Sequence, residues 1–366
     1  MDFELPSDAL MLRDMLQRFV EDEAKPLEMK YFNTGALEPK ERARLRTVIE
    51  QMGLWGASVP ERFGGGGLDM VTACLLEEEL GKTFVPLELG DVPPLLYACR
   101  EGQVEHFLNP ALSGEKRPIL AIREPGALRP EAWTTTATPE GDGYVLNGKK
   151  SLSAPPTAND FLVVFAKAPS GFSAFALDSN QAGMTIHQNG GAVLELDGCQ
   201  ASTGALLGEP GQAFTLGVDD APRACIRIGA RYIGLAQRLL GMAAAYANDW
   251  TSLGAPLKNR PSVQRMLAEL DVQIKSTRWL VYHAAWLADK REPVRIPASE
   301  VRLATGGLLQ KATDLVTMIF GGSGPSPEIE IHRFVRSAIP MEALELGLEC
   351  ARLTVAAQVL NEYKAG

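Results

Sequence analysis

The sequence predicts an α+β protein with an N-terminal helical domain, a central antiparallel β domain and a C-terminal four-helix bundle. Helical periodicity runs through the first part of the 366 residues, short alternating runs follow, and long Ala- and Leu-rich segments fill the remainder. A chain of this length also exceeds what one hydrophobic core normally supports. We therefore expect three domains, at residues 1–116, 117–221 and 222–366.

The N-terminal domain is predicted to be helical because apolar residues recur at intervals of three and four over residues 12–20 and 40–52. Asp69 is expected to cap a helix over 70–80, since an aspartate at that position accepts a backbone N–H of the first turn. The glycine run at 64–67 has neither a GK[ST] sequence after it nor a strand before it. We interpret it as a turn that precedes the helix.

The central domain is predicted to consist of short strands separated by turn residues. The candidate strands are 119–122, 133–138, 144–146, 161–166, 173–177 and 193–196. The sequences Gly141-Asp142-Gly143 and Asn147-Gly148 predict tight turns, because these residue types adopt positive φ with little strain. This pattern predicts an antiparallel barrel or sandwich.

The C-terminal domain is predicted to be a helical bundle. Its periodic segments are long enough to pack side by side, which is the requirement for a bundle. They cover residues 228–248, 263–290, 298–320 and 341–360.

Composition and charge exclude several classes of function. The net charge of −9 argues against nucleic-acid and anionic-membrane partners, since both need clustered Lys and Arg. No apolar run approaches the roughly 20 residues that span a bilayer, and the N-terminus lacks signal-peptide features, so we expect a cytoplasmic protein without a membrane span. The five cysteines form no CxxC pair and the four histidines show no ligand spacing, so we expect reduced thiols and no metal site.

A set of short segments, found in a fixed order, resembles one known family. The segments are SVPERFGG at 58–65, EEELG at 77–81, EP at 124–125, GDGYVLNGKK at 141–150, LGEPG at 207–211, GLAQ at 234–237, GG at 321–322 and HRFVR at 332–336. Together they resemble the acyl-CoA dehydrogenase family across nearly the whole chain. Within the family, the chain most resembles the small subunits of heteromeric members.

The resemblance implies flavin-dependent α,β-dehydrogenation of an acyl-CoA thioester. In such enzymes a carboxylate removes the α-proton, a hydride passes from Cβ to FAD, and the electrons leave through an electron-transfer flavoprotein-like acceptor. The family's assembly further implies a dimer or tetramer, either of this chain or with a second kind of subunit, in which the flavin lies across a subunit boundary.

The resemblance places the catalytic base at Glu345, counted without gaps from Arg336. The two residues that follow differ from the family's E-G-T sequence. Glu342, Glu345 and Glu349 also recur on one stripe of a predicted amphipathic helix, and such a stripe is typical of a solvated face. Both interpretations of Glu345 stay open at this point.

The cofactor-binding residues that the resemblance implies are Glu124, Ser153, Gly321, Gly322 and Glu349. Other positions that contact flavin in the family carry different residues in this chain. The altered positions are Arg123, Leu152, Trp250, Pro261 and Met318. At Trp250 the family has an arginine that pairs with the cofactor pyrophosphate, so an indole replaces a charge-assisted anion contact.

Three arginines are candidates to compensate for that loss: Arg123, Arg129 and Arg260. Each is equally interpretable as an ordinary surface arginine. Two functional hypotheses follow. The chain is either an acyl-CoA dehydrogenase, or a flavin-poor subunit, non-catalytic or contributing half a site, of a heteromeric acyl-CoA dehydrogenase. A bundle protein unrelated to acyl-CoA chemistry is a third hypothesis, against which the ordered motifs argue.

Overall fold

The structure is a computed structural model that describes residues 5–127, 130–152, 155–188, 191–217, 220–323 and 348–363. Contacts divide the chain into two compact units. The helical unit comprises Met1–Leu89 and Pro222–Gly366, and the β unit comprises Gly90–Ala221. The two units differ from the three predicted domains in that the first and last helical segments form one unit. The three domain boundaries stay predictions.

The helices are α1 Ser7–Phe19, α2 Glu28–Thr34, α3 Pro39–Gln51, α4 Met70–Leu80, α5 Glu101–Gln103, α6 Asn109–Leu112, α7 Ala213–Gly217, α8 Asp220–Asp249, α9 Pro261–Asp289, α10 Arg295–Phe320 and α11 Leu348–Glu362. The strands are β1 Pro118–Ala121, β2 Thr136–Glu140, β3 Gly143–Leu152, β4 Phe161–Ala168, β5 Gly171–Asp178, β6 Met184–Gln188, β7 Ala192–Ser202, β8 Leu206–Leu207, β9 Thr251–Ser252 and β10 Ala255–Pro256.

The predicted helices are confirmed where the structure describes them. Helix α4 has the predicted limits, and the Asp69 carboxylate accepts a hydrogen bond from the Thr72 backbone N–H at 2.7 Å. Helix α8 begins eight residues before the predicted start at 228. The predicted segment 341–360 lies partly outside the described residues, and its described part belongs to α11.

The sheet of the β unit has the strand order β6-β7-β3-β2-β4-β5-β8, with β1 joined to β4. Most neighbouring pairs are antiparallel, as predicted, but β4 pairs in parallel with both β1 and β2. The sheet is therefore mixed. Strand β6 was missed because its residues Met184–Gln188 alternate only weakly and are mostly solvent-facing.

The turn predicted at Asn147-Gly148 is wrong, because β3 runs through these residues. The pairing of β3 with β7 shifts register between Leu146 and Gly148, which marks a β-bulge. Gly148 has φ 143°, and a Cβ there would lie 2.5 Å from the Thr135 hydroxyl. The glycine thus permits a bulge and a close approach instead of a chain reversal.

The other predicted turns are confirmed. Gly141 begins the β2–β3 hairpin turn with φ 58°. The glycine run at 64–67 is a turn, and a Cβ on Gly65 would lie 2.1 Å from the Val59 carbonyl oxygen. Only glycine fits at that position without moving the backbone.

Among the described residues, the helical unit has two apolar core clusters and the β unit has one. All five cysteines lie within the described residues and are thiols, with no disulfide bond between them. Within the described ranges, no helix has the length and apolar character needed to cross a membrane. In the same part of the chain, no group of three His, Cys, Asp or Glu side chains is arranged to hold a metal ion.

Candidate functional site

The candidate site lies in the β unit, where the loop after β1 runs beside the end of β3. The Ser151 backbone N–H donates to the Arg123 carbonyl oxygen at 2.8 Å. Lys150 reaches the same loop with its ammonium, which donates to the Ile122 carbonyl oxygen at 2.9 Å. Two segments that the sequence separates by more than twenty residues are therefore held together here.

Glu124 is buried at the centre of this arrangement, with 8% of the residue exposed. Its carboxylate accepts hydrogen bonds from the Thr134 N–H at 2.7 Å, the Thr134 hydroxyl at 3.0 Å and the Thr135 N–H at 2.8 Å. A fourth donor is the Lys150 ammonium at 3.1 Å. Since these donors occupy the carboxylate, the Glu124 side chain serves to hold the loop in place.

The same contacts set the charge state of Glu124. Burial alone would raise its pKa, but the hydrogen bonds from Thr135, Thr134 and Lys150 outweigh burial and lower the pKa to about 2. The carboxylate is thus ionised throughout the physiological pH range.

Lys150 was missed as a site residue. Its side chain is fully buried, and its ammonium lies 4.9 Å from the centroid of the Trp133 ring. The Trp133 ring is itself held by its indole N–H, which donates to the Ala127 carbonyl oxygen at 3.2 Å. Burial lowers the pKa of Lys150, and the ion pair with Glu124 opposes that shift. The two-residue period of a strand could have revealed this lysine, because it precedes the buried Leu152 by two positions.

Acid titration should detect the Glu124 cluster. The folded-state pKa of Glu124 lies below its ordinary value of 4.5, so its contribution to stability is complete above about pH 4.5 and is lost as the pH falls toward 2. We expect Glu124→Gln to lower the free energy of unfolding by about 3 kcal/mol at pH 7, because Lys150 loses its counter-charge. The variant's free energy of unfolding should also depend less on pH between pH 4.5 and 2. Urea unfolding at several pH values measures both effects.

The matched control for that experiment is Glu131→Gln, which changes an exposed glutamate in the same unit. Its stability profile between pH 4.5 and 2 should follow that of the wild type. A Glu124→Gln profile as steep as the control's would show that Glu124 is not the titrating group.

A second feature, in the helical unit, is an aromatic stack where α8 ends. The Trp250 ring stacks on Tyr246 with centroids 5.5 Å apart, and Tyr246 stacks on Phe320 at 4.2 Å. Trp250 remains 51% exposed. The structure therefore brings the altered position 250 close to the end of α10, where Gly321 and Gly322 follow.

The arginine nearest to this stack in sequence has a structural contact. The Arg260 guanidinium donates to the Ser252 carbonyl oxygen at 2.7 Å, which ties it to the β9–β10 hairpin. Met318 is 56% exposed on α10, and Gly321 ends that helix with φ 57°. The described residues around Trp250 thus provide exposed apolar and aromatic surface.

The remaining predicted site residues are placed as follows. Glu345, Ser153 and Arg129 lie outside the described residues. Glu349 is exposed in the first turn of α11, and its carboxylate pairs with Arg352 at 2.9 Å. Gly322 is exposed. The roles predicted for these residues stay predictions.

Sequence reasoning also missed a buried ionic network on α4. The Glu77 carboxylate accepts from Arg227 at 2.7 Å and from Arg231 at 2.8 Å. Burial alone would raise the pKa of Glu77, but the guanidiniums of Arg231 and Arg227 lower it. These pairs fix the packing of α4 against α8.

The neighbouring Glu78 makes the equivalent link to α9. Its carboxylate accepts from the Arg278 guanidinium at 2.8 Å and from the Tyr282 hydroxyl at 3.1 Å. Burial and the Glu78 carboxylate raise the pKa of Tyr282. The EEELG motif is therefore a structural element of the helical unit, since its first two glutamates hold three helices together.

Comparison with known families explains the order of these elements. Residues 6–115 match the acyl-CoA dehydrogenase N-terminal domain, and residues 223–360 match the acyl-CoA dehydrogenase C-terminal domain. The chain belongs to the acyl-CoA dehydrogenase family. Membership places it among oxidoreductases that act on acyl-CoA, and members of this family depend on FAD.

Individual family members are similar along the full length. The rat mitochondrial short-chain specific acyl-CoA dehydrogenase is 29% identical over 384 residues, which cover 99% of this chain and 92% of that protein. The (R)-benzylsuccinyl-CoA dehydrogenase of Thauera aromatica is 28% identical over 396 residues, covering 99% and 98%.

A solved chain from a study of the electron transferring flavoprotein of Acidaminococcus fermentans also shares the acyl-CoA dehydrogenase-like fold. It superposes with a TM-score of 0.87 at 26% identity, covering 98% of this chain and 100% of that chain.

The described residues fit a flavin in one respect and not in another. The loop after β1 is held rigidly, and the Trp250 ring offers an exposed face on which a planar ring can stack. At position 250, however, the chain presents an indole and no cation for a pyrophosphate. Within the helical unit, position 250 therefore offers a surface for ring stacking but no charge for a pyrophosphate.

Proposed function

We propose that this chain catalyses α,β-dehydrogenation of an acyl-CoA thioester and passes the electrons to an electron-transfer flavoprotein-like acceptor. The observation that carries the proposal is the loop after β1. Where the resemblance places a flavin contact, this loop is held to β3 by Lys150 and to the segment before β2 by the hydrogen bonds that Glu124 accepts from Thr134 and Thr135. Such rigidity is what a positioned redox site requires.

In this proposal Glu345 is the base. Its carboxylate accepts the proton from the α-carbon of the thioester. Because this C–H group is a weak acid, the site must exclude water and hold the carbonyl oxygen by hydrogen bonds. FAD, when bound, supplies the acceptor for the hydride that leaves Cβ. The residues proposed to contact that cofactor are Ser153, Gly321, Gly322, Glu349 and, in the loop that its side chain holds, Glu124.

The test combines a spectrum with an assay. Purified protein should show flavin absorbance, alone or after FAD is added, and should reduce an artificial electron acceptor with one member of an acyl-CoA panel. A preparation that stays colourless with excess FAD, and that forms no enoyl-CoA, would contradict the proposal for the isolated chain.

A second candidate function is favoured by Trp250. Because the indole stacks on Tyr246 and lacks the charge of an arginine, the chain is also suited to be a flavin-poor subunit of a heteromeric acyl-CoA dehydrogenase. Co-purification from the native host distinguishes the two. This candidate requires a second family member in the complex that holds the flavin.

Restoring the charge at position 250 should strengthen flavin binding. We expect Trp250→Arg to raise the affinity for FAD by about 10- to 150-fold, since a charge-assisted contact to phosphate is worth about 1.5–3 kcal/mol. Titration of FAD fluorescence measures the change without relying on turnover. The control is Met11→Arg, which adds the same charge to an exposed apolar position on α1. Equal gains in both variants would point to a general charge effect.

A further inference from the structure

A cavity of about 330 Å³ opens within the helical unit, where α4 packs against α1 on one side and α9 on the other. Its volume lies at the lower end of the roughly 300–1,000 Å³ that small-molecule sites occupy. Leu5, which precedes α1, and Leu75 of α4 supply apolar surface to the lining. The rest of the lining is polar or charged, so the cavity suits a small ligand that has both an apolar and a polar part.

Three cations from three separate segments line this cavity. Arg13 lies on α1, Lys82 lies two residues after the end of α4, and Arg278 lies on α9. The carboxylates in the same lining are those of Glu78 and Glu79, so three positive charges face two negative ones. The cavity is thus locally positive, although the chain as a whole carries a net charge of −9. Such a local charge favours an anionic ligand.

The two carboxylates are already engaged by donors of the protein. Each oxygen of the Glu79 carboxylate accepts from the Lys82 ammonium at 2.7 Å. The Glu78 carboxylate accepts from the Arg278 guanidinium at 2.8 Å and from the Tyr282 hydroxyl at 3.1 Å. Both glutamates are buried. A cationic ligand would therefore have to displace Lys82 or Arg278 from a buried carboxylate, which is costly.

The cations, in contrast, keep N–H groups that these bonds do not use. Within the described part of the chain, Arg278 donates through Nε and Nη2, which leaves the N–H groups of Nη1. Arg13 likewise donates through Nε and Nη2. The Lys82 ammonium has three N–H groups for the two oxygens of Glu79. The charged side chains of the lining therefore offer donors to an acceptor-rich ligand.

We propose that this cavity binds a small organic carboxylate. Arg13, Lys82 and Arg278 hold the carboxylate by charge-assisted hydrogen bonds, and Leu5 and Leu75 contact the apolar part of the ligand. Because such a ligand bridges three segments of the helical unit, its binding stabilises the folded state. The residues proposed to act on acyl-CoA or to contact FAD are not in this lining, so the site is separate from the proposed catalysis.

Thermal unfolding of the full chain tests the site without flavin or turnover. The unfolding midpoint should rise with the concentration of butyrate and then level off as the site fills. Butylammonium and butanol, which keep the same apolar chain, should leave the midpoint unchanged at equal ionic strength. A midpoint that does not respond to butyrate, or that responds equally to butylammonium, would overturn the proposal. An equal response to inorganic phosphate would overturn the role of the two leucines.

Arg13→Gln tests whether butyrate binds in this cavity and not elsewhere on the chain. The substitution should raise the dissociation constant for butyrate about tenfold or more in a calorimetric titration, since a charge-assisted hydrogen bond is lost. Its ion-pair partner Asp14 is exposed, so the fold should be retained, which circular dichroism verifies.

The matched control is Arg18→Gln, which removes an exposed arginine of the same helix from outside the cavity. It should bind butyrate as tightly as the wild type does. An Arg13→Gln variant with unchanged affinity would show that butyrate binds at another site and would overturn the proposal. Equal losses in the two variants would do the same, because they would indicate a general effect of net charge.

Discussion

Glu345→Gln is expected to lower α,β-dehydrogenation by about 10²–10⁴-fold, the range that a positioned general base contributes. Glutamine keeps the size and shape of the side chain but cannot accept the α-proton at neutral pH. Bound flavin, measured by its absorbance, should remain unchanged, so that the loss lies in the chemical step. The experiment matters because Glu345 lies outside the described residues and its role rests on the resemblance.

The matched control is Glu342→Gln, one helical turn earlier on the same predicted stripe. If the stripe is a solvated face, both variants should retain full activity. If Glu345 is the base, only Glu345→Gln should lose activity. Should the chain act within a heteromeric complex, the same pair of variants is compared in that complex with its second subunit unaltered.

Gly234→Ala is expected to destabilise the protein by about 3 kcal/mol, toward the upper end of what an overpacked methyl group costs. Helices α4 and α8 approach each other through their backbones at this point. A Cβ on Gly234 would lie 1.9 Å from the Glu78 carbonyl oxygen and 3.1 Å from the Gly81 Cα atom. A Cβ on Gly81 would likewise lie 2.0 Å from the Arg231 carbonyl oxygen.

Relieving this clash costs substantial free energy, because the clashing atoms belong to the backbone of two helices. Those helices are also held by the buried pairs that Glu77 makes with Arg227 and Arg231. An added methyl group therefore has to separate α4 from α8 and weaken these ion pairs. Leaving a buried charge without its partner adds to the cost.

Gly241→Ala provides the control within the same helix. Nothing lies within 4 Å of a Cβ built at Gly241, which is exposed on α8. Alanine should stabilise the helix there by about 0.5–1 kcal/mol, because glycine loses more backbone entropy on folding. Urea unfolding of the two variants should thus show changes of opposite sign. Two shifts of the same sign would mean that the α4–α8 approach is looser than the structure shows.

Local sequence signals were sufficient for most helices. Asp69 and Gly81 delimit α4 as predicted, because capping depends on residues adjacent in the chain. Asn147-Gly148 shows the limit of such signals. The pair permits positive φ in either a turn or a bulge, and the pairing of β3 with β7 selected the bulge.

For the candidate site, the sequence placed Glu124 by resemblance but not its partners. Lys150 reaches Glu124, and Trp133 contacts the Lys150 ammonium, only because β3 and the segment before β2 come together in space. The stack of Trp250, Tyr246 and Phe320 likewise depends on the ends of two helices meeting. The two-residue period of β3 indicates that Lys150 is buried, but no spacing in sequence indicates that Glu124 is its partner or that Phe320 joins Tyr246.

By itself, the sequence determined the fold class, the family and the main helices, because periodicity, caps and ordered motifs act over short stretches of chain. Only the tertiary structure decided that Glu124 is saturated by internal donors, that Gly234 is confined by the Glu78 backbone, and that Trp279 and Trp286 on α9 are 56% and 50% exposed. Those properties depend on distances between residues far apart in the chain. Burial and pairing, unlike periodicity, exist only once separate segments have packed.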